Sequence, residues 1–286
     1  MDISEFWFQV DSNLVAVLLA IAILVVAEFG FRLGDLLHRK RHIESDAAFN
    51  VVEGGVLGLV ALILGFSFSL AVNRFDARQH TVVVEANAIG TTYFRSSFLE
   101  MPDRETFRSL IRRYTRVRLD RYERFAVPAV RAHTAAETAA LQNKLWRIVA
   151  SEANRRPRIT ASLLAQATND MFDIGAEHDA SLANHVPGAI ILLVIIGGLA
   201  GAGVIGFGFG LSSSSHWPVS VLYGLIIMLL VTTTLDLDRP SRGWIRVRLV
   251  PLSDQLRLIS ERDAAPEAFA FMGALRVSRP GTVIGS

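Results

Sequence analysis

Along residues 55–76 one helical face would collect Gly55, Gly58, Leu62, Gly65, Phe66, Ser69, Asn73 and Asp76. At roughly 100° per residue these side chains share an arc of about 100°, with Leu57, Val60, Ile63 and Leu64 on the opposite side. Two kinds of chemistry suit such a face. Small residues let helix backbones approach closely in lipid, so the face could pack against another helix. Repeated around an axis, it could instead line a water-filled path, with Leu62 and Phe66 forming apolar rings that stop ions by dewetting. The pattern alone leaves both open.

Other residues with chemical potential are weaker pointers. Glu28 and Glu53 lie inside or at the rim of apolar stretches, where a carboxylate is expensive and faces protein, water or the interface. They read as rim anchors or as members of an ion or proton path. Arg104, Arg108, Arg112, Arg113, Arg116, Arg118, Arg121 and Arg124 could line an anion vestibule through their summed field. Asp103, Glu105, Asp120 and Glu123 are interleaved with them, so a solvated face with pairs at helical spacing is the expected state. Glu177, His178, Asp179 and His185 bring metal-ligating types together, but in no metal-binding motif, so no metal is expected. The glycines from Gly197 to Gly210 lack both the re-entrant loop of an ion filter and the Lys-Ser/Thr of a phosphate loop, and read as close helix packing. No nucleophile elbow, zinc-protease helix or dinucleotide fingerprint is present, and no catalytic residue or cofactor is expected. The chain has no Cys, which excludes disulfides and thiolate metal sites, and a net charge of +2 gives no case for nucleic acid.

The elements that would carry these residues are set by four apolar blocks, about 13–31, 51–72, 187–209 and 218–235. Each is long enough at about 1.5 Å per residue to cross a hydrocarbon core of roughly 30 Å. The lipid bilayer is therefore the expected surroundings. The first block reads as a retained helix rather than a cleaved signal, because Asp2, Glu5 and Asp11 precede it without any Lys or Arg. Proline marks the remaining boundaries at Pro102, Pro128, Pro157, Pro187, Pro218 and Pro240. The proline-free stretch 47–101 predicts one helix that leaves the membrane near Asn73 and continues into water. Segments near 103–125, 133–155 and 160–185 mix apolar and charged residues at helical spacing, and no alternating strand pattern occurs. The expected organisation is a transmembrane pair (1–72), a helical soluble domain (73–186), a second transmembrane pair (187–235) and a C-terminal tail (236–286) that is polar and partly disordered over 250–286. Basic residues near the membrane number six on the side of segment 73–186 against four in the first loop, which places that segment and both termini in the cytoplasm.

The second span also resembles a known family. Leu64-Gly65-Phe66, seven residues and then Arg74-Phe75-Asp76-Ala77-Arg78 resemble the bestrophin signature, in which a Leu-Gly-Phe precedes an Arg-Trp-Trp cluster by the same gap. Val84-Glu85-Ala86-Asn87-Ala88-Ile89-Gly90 is similar to the version in bacterial bestrophin-like proteins. Asp236-Leu237-Asp238-Arg239-Pro240 stands where bestrophins carry two acidic residues shortly before a Pro. The similarity covers roughly 55–95 and 230–245. It implies an all-α membrane protein of four spans, assembled as a homo-oligomer (a pentamer in that family), with span two lining an axial pore. Leu62 and Phe66 then fall on the apolar neck and Gly58 on its third position. Leu62 replaces an aromatic of the animal members, Phe75-Asp76 replace the paired Trp, and the acidic run that binds calcium in animal bestrophins is missing after Pro240.

The resulting expectation is a channel in a bacterial inner membrane, multi-pass, passing small monovalent ions, with anions favoured over cations. Its neck is Gly58, Leu62 and Phe66, and its lining Gly55, Gly65, Ser69, Asn73 and Asp76. Ion pairs between Arg74 or Arg78 and Asp236 or Asp238 would tie the ends of spans two and four. The competing expectation is a membrane scaffold or sensor whose helical domain binds cytoplasmic partners, with span two merely packed.

Overall fold

The stretch without proline folds as its sequence predicts. The computed structural model describes residues 12–41, 47–184, 186–212, 214–238 and 245–264. Among these residues there are eight α-helices, one short 3-10 turn (Ser96–Phe98) and no strand: α1 (Ser12–Arg41), α2 (Ala47–Arg95), α3 (Asp103–Glu123), α4 (Pro128–Arg155), α5 (Ile159–Ala183), α6 (Gly188–Leu211), α7 (Trp217–Asp238) and α8 (Val250–Ala264). With 49 residues, α2 extends roughly 70 Å, more than twice a hydrocarbon core of about 30 Å.

The boundaries have local causes. Pro102 caps α3, whose first turn carries Asp103 and Glu105 to complement the helix dipole. Pro128 occupies the first turn of α4, where its missing N–H costs nothing, and Pro187 caps α6. α1 outruns its apolar block by a few turns, with the Arg39 side chain paired to Asp35 one turn back. α8 lies in the segment expected to be a polar tail. Pro240, Arg239 and His185, which entered the sequence reading, lie outside the described residues, as does the chain after 264.

The chain divides into two compact units, Met1–Ala77 with Leu182–Arg246, and Arg78–Ser181 with Val247–Ser286. The first holds α1, the beginning of α2, α6 and α7. Ile23, Ala27, Val60, Leu64, Ala71, Val194, Ala202, Ile227 and Val231 fill its interior. Large apolar side chains also cover its exterior: Leu18, Val25, Leu59, Ile196, Leu222 and Leu229 are exposed. An exterior of that kind is stable in lipid rather than water. Four helix-bearing segments, Leu14–Lys40, Phe49–Phe98, Ile159–Leu211 and Trp217–Asp238, contain a stretch long and apolar enough to cross a membrane.

The second unit holds the rest of α2, most of α5, and α3, α4 and α8. Ile89, Tyr93, Phe107, Ile111, Leu145, Leu164, Met171 and Leu252 form its core, and α3 packs against α4 and α8.

Candidate functional site

The membrane part of α2 turns one side inward and leaves the other, among the described residues, without packing partners in its own chain. Val60, Leu64, Ser67 and Ala71 are buried in the first unit. Gly55, Gly58, Leu62, Gly65, Phe66, Ser69, Asn73 and Asp76 are all exposed. Leu62 is 54% and Phe66 69% exposed. A Cβ added to Gly54, Gly55, Gly58 or Gly65 would meet nothing within 4 Å. Among the described residues, no helix of the same subunit fills the space at these glycines.

The glycines of α6 behave in the opposite way, as close packing requires. A Cβ on Gly206 would run into the Ala27 backbone, and one on Gly210 into the Phe31 carbonyl and the Asp35 nitrogen. From the other helix, Gly30 faces the Gly203 carbonyl and Gly34 the Phe207 carbonyl. α1 and α6 are locked backbone to backbone, and α6 is a packed helix rather than a filter loop.

The two carboxylates at the rim both lie against protein. Glu28 accepts a hydrogen bond from Arg32 Nε at 2.7 Å and lies 3.4 Å from the Nε2 of buried His216, whose ring stacks on Phe31. Glu53 lies against α6 beside Gly208.

At the end of the same unit, Asp236 and Asp238 are buried. Asp238 Oδ1 accepts the Val186 N–H at 2.9 Å, and Arg74 donates to Asn184 Oδ1 at 2.9 Å. Arg78, which belongs to the second unit and is 1% exposed, donates through Nε to the Ser181 carbonyl at 3.2 Å.

The second unit contains a buried ionic cluster that the sequence reading missed. Glu85 on α2 and Arg118 on α3 are both almost wholly buried, with Arg118 Nε 2.6 Å from Glu85 Oε1. Arg118 also donates to the Gly175 carbonyl at 2.6 Å, to the Tyr122 hydroxyl, and to Asp179 at 3.0 Å. Tyr122 in turn donates to Glu85 Oε2 at 2.8 Å, and His178 Nδ1 lies 2.6 Å from the same oxygen. An ionised carboxylate can only accept, so Nδ1 carries the imidazole proton in that contact. Arg121 completes the group, with Nε 2.9 Å from Asp179 and Nη1 donating to the Arg131 carbonyl. Burial pushes the Arg118 guanidinium towards losing its proton, but Glu85, Tyr114 and Asp179 outweigh that and hold it above its ordinary value. Burial also raises the Tyr114 phenol.

One expectation is corrected here. The arginine run is not a uniform solvated face, because Arg118 and Arg121 point inward. His178 and Asp179 are committed to Glu85 and to the two arginines, and no group of three or more metal-ligating side chains occurs among the described residues. One signal was available. Arg118 falls on the buried stripe of α3 set by Phe107, Ile111, Tyr114 and Tyr122 at helical spacing, which marks it as an inward-facing cation. Breaking such a buried pair on one side costs about 3–5 kcal/mol, because a charge is left uncompensated.

Comparison with known proteins adds the family. Residues 21–252 match the model of the Bestrophin-like domain. A search of curated proteins found no match. Among solved structures, a bacterial bestrophin homolog from Klebsiella pneumoniae carrying a Tyr-to-Ala mutation is similar with a TM-score of 0.63 and 14% identity, over 86% of this chain and 96% of that one. The same homolog phased from zinc gives 0.60 and 15% identity over 88% and 96%. A crystal structure described as a membrane protein with a Leu-to-Ala mutation gives 0.61 and 13% identity over 88% and 98%. At such identities the likeness establishes a shared fold.

Proposed function

This chain belongs to the bestrophin-like family, and from that premise we propose that it is the subunit of a homo-oligomeric ion channel, pentameric by family resemblance, in a bacterial inner membrane. The pore is lined by Gly55, Gly65, Ser69, Asn73 and Asp76 of α2, with Gly58, Leu62 and Phe66 as its neck. The observation that carries the reading is the exposed face of α2. Large apolar side chains alternate there with glycines whose missing side chains leave open space. Arranged around an axis, Leu62 and Phe66 exclude water when their rings close. No polar group at that level could replace an ion's hydration shell, so the barrier is dewetting and grows with apolar bulk.

Truncating both residues in Leu62→Ala/Phe66→Ala should raise conductance or open probability in planar bilayers. A scaffold with α2 packed against a partner predicts the reverse: no current, and a stability loss of roughly 2–5 kcal/mol for each large side chain removed. Silence from parent and variant alike, with the oligomer intact by size exclusion, would defeat the channel.

A second element of the proposal ties the ends of spans two and four, with Arg74 and Asp238 as an ion pair and Asp236 as a further member, all within the first unit. Its support is the burial of Asp236 and Asp238, which demands compensation. In thermal unfolding of the detergent-solubilised protein, Arg74→Ala and Asp238→Ala should each destabilise, and the double variant should lose less than their sum. Strict additivity would show that the two are uncoupled.

A further inference from the structure

From Gly54 to Ala77 every exposed side chain of α2 is uncharged except one, Asp76. Glu53 and Arg74 are only partly exposed, the first lying against α6 and the second donating to Asn184 at 2.9 Å. The Asp76 carboxylate makes no hydrogen bond or ion pair with any described residue. It follows Asn73 by one turn and Ser69 by two, on the face that carries Leu62 and Phe66.

We propose that Asp76 sets the charge preference of this pore and selects small monovalent cations over anions. The inference rests on the channel reading, because only in a symmetric oligomer does one exposed carboxylate per subunit become a ring. A ring of like charge beside a path with low-dielectric walls raises the local concentration of the opposite ion and depletes its own sign. The neck residues Leu62, Phe66 and Gly58 carry no formal charge and no side-chain hydrogen-bonding group, so Asp76 is the one formal charge on the exposed face. Asn73 and Ser69 supply neutral oxygens that tolerate a cation without selecting it. The arginines that made anions the expected substrate are largely spent within the second unit. Arg118 and Arg121 are buried on Glu85 and Asp179, and Arg112, Arg113 and Arg124 are paired with Asp263, Glu137 and Asp120.

The test is the reversal potential of the reconstituted oligomer across a tenfold potassium chloride gradient. Full cation selectivity gives about 59 mV of the cation sign. The parent should reverse on that side, Asp76→Glu should keep its value, and Asp76→Asn should cut the cation-to-anion permeability ratio by roughly threefold or more, in line with the removal of a potential of a few kT. The parent alone supplies a second measurement. Its cation preference should weaken when ionic strength rises from about 0.1 M to 1 M, as the screening length falls from about 10 Å to 3 Å. An anion-sign reversal in the parent, no change in Asp76→Asn, or a preference indifferent to salt overturns the role of Asp76 while leaving a channel in place. Silence from the parent and from Leu62→Ala/Phe66→Ala removes the channel and this inference together.

Discussion

The glycines of α2 and those of α6 are alike in sequence and opposite in structure. Both helices cross the first unit, both are rich in glycine, and both interleave it with large apolar residues. On α6 each of Gly206 and Gly210 touches the backbone of α1, so the missing side chain is filled by another helix. On α2 the spaces at Gly55, Gly58 and Gly65 are empty to 4 Å. A glycine inside a helix costs about 1 kcal/mol relative to alanine. On α6 that cost is offset by close packing within the subunit. On α2 nothing among the described residues offsets it, and under the channel proposed above the open space is room along the pore axis.

Gly206→Ala tests the first half of that contrast and should have the larger effect. The new methyl would meet the carbonyl of Ala27, a backbone atom that yields only if α1 and α6 separate. Overpacking of this kind costs about 1–3 kcal/mol, and the variant should unfold at lower temperature in detergent than the parent. An unchanged melting temperature would mean that the two helices are free to part, and the contrast with α2 would lose its basis.

How much of this was legible in the sequence follows from whether the cause was local. The four apolar blocks and the continuous α2 depend on nearby residues alone, on block length and on missing proline, and both were readable. The α2 face was readable as a pattern, since Gly55, Gly58, Leu62 and Phe66 repeat at helical spacing. Its exposure was not, because the same pattern on α6 is packed, and only the neighbouring backbone distinguishes them. The cluster of Glu85, Arg118 and His178 was hidden for a different reason. Its members are separated by 33 residues in one case and 93 in another, and Arg118 is camouflaged among seven other arginines. α8 escaped because only Leu252 and Ile259 of its 15 residues are buried, too little apolar periodicity to stand out in a polar segment.

The smallest effect on stability is expected at Gly58, where the contrast is sharpest. Gly58→Ala adds one methyl per subunit into open space, so no contact within the chain is strained. Alanine also restricts the unfolded chain and favours helix by up to about 1 kcal/mol in water, so the melting temperature should stay level or rise slightly. The functional effect should be out of proportion to that. In an oligomer the added methyls gather around the axis at the widest level of the neck, one turn from Leu62. They lengthen the apolar constriction, and single-channel conductance should fall. Stability and conductance are thereby separated in one variant, which neither lipid exposure nor scaffold packing predicts. A face that merely meets lipid leaves both quantities unchanged. A face packed tightly on a partner loses stability as Gly206→Ala does, and that result would make the glycines of α2 and α6 two cases of the same packing.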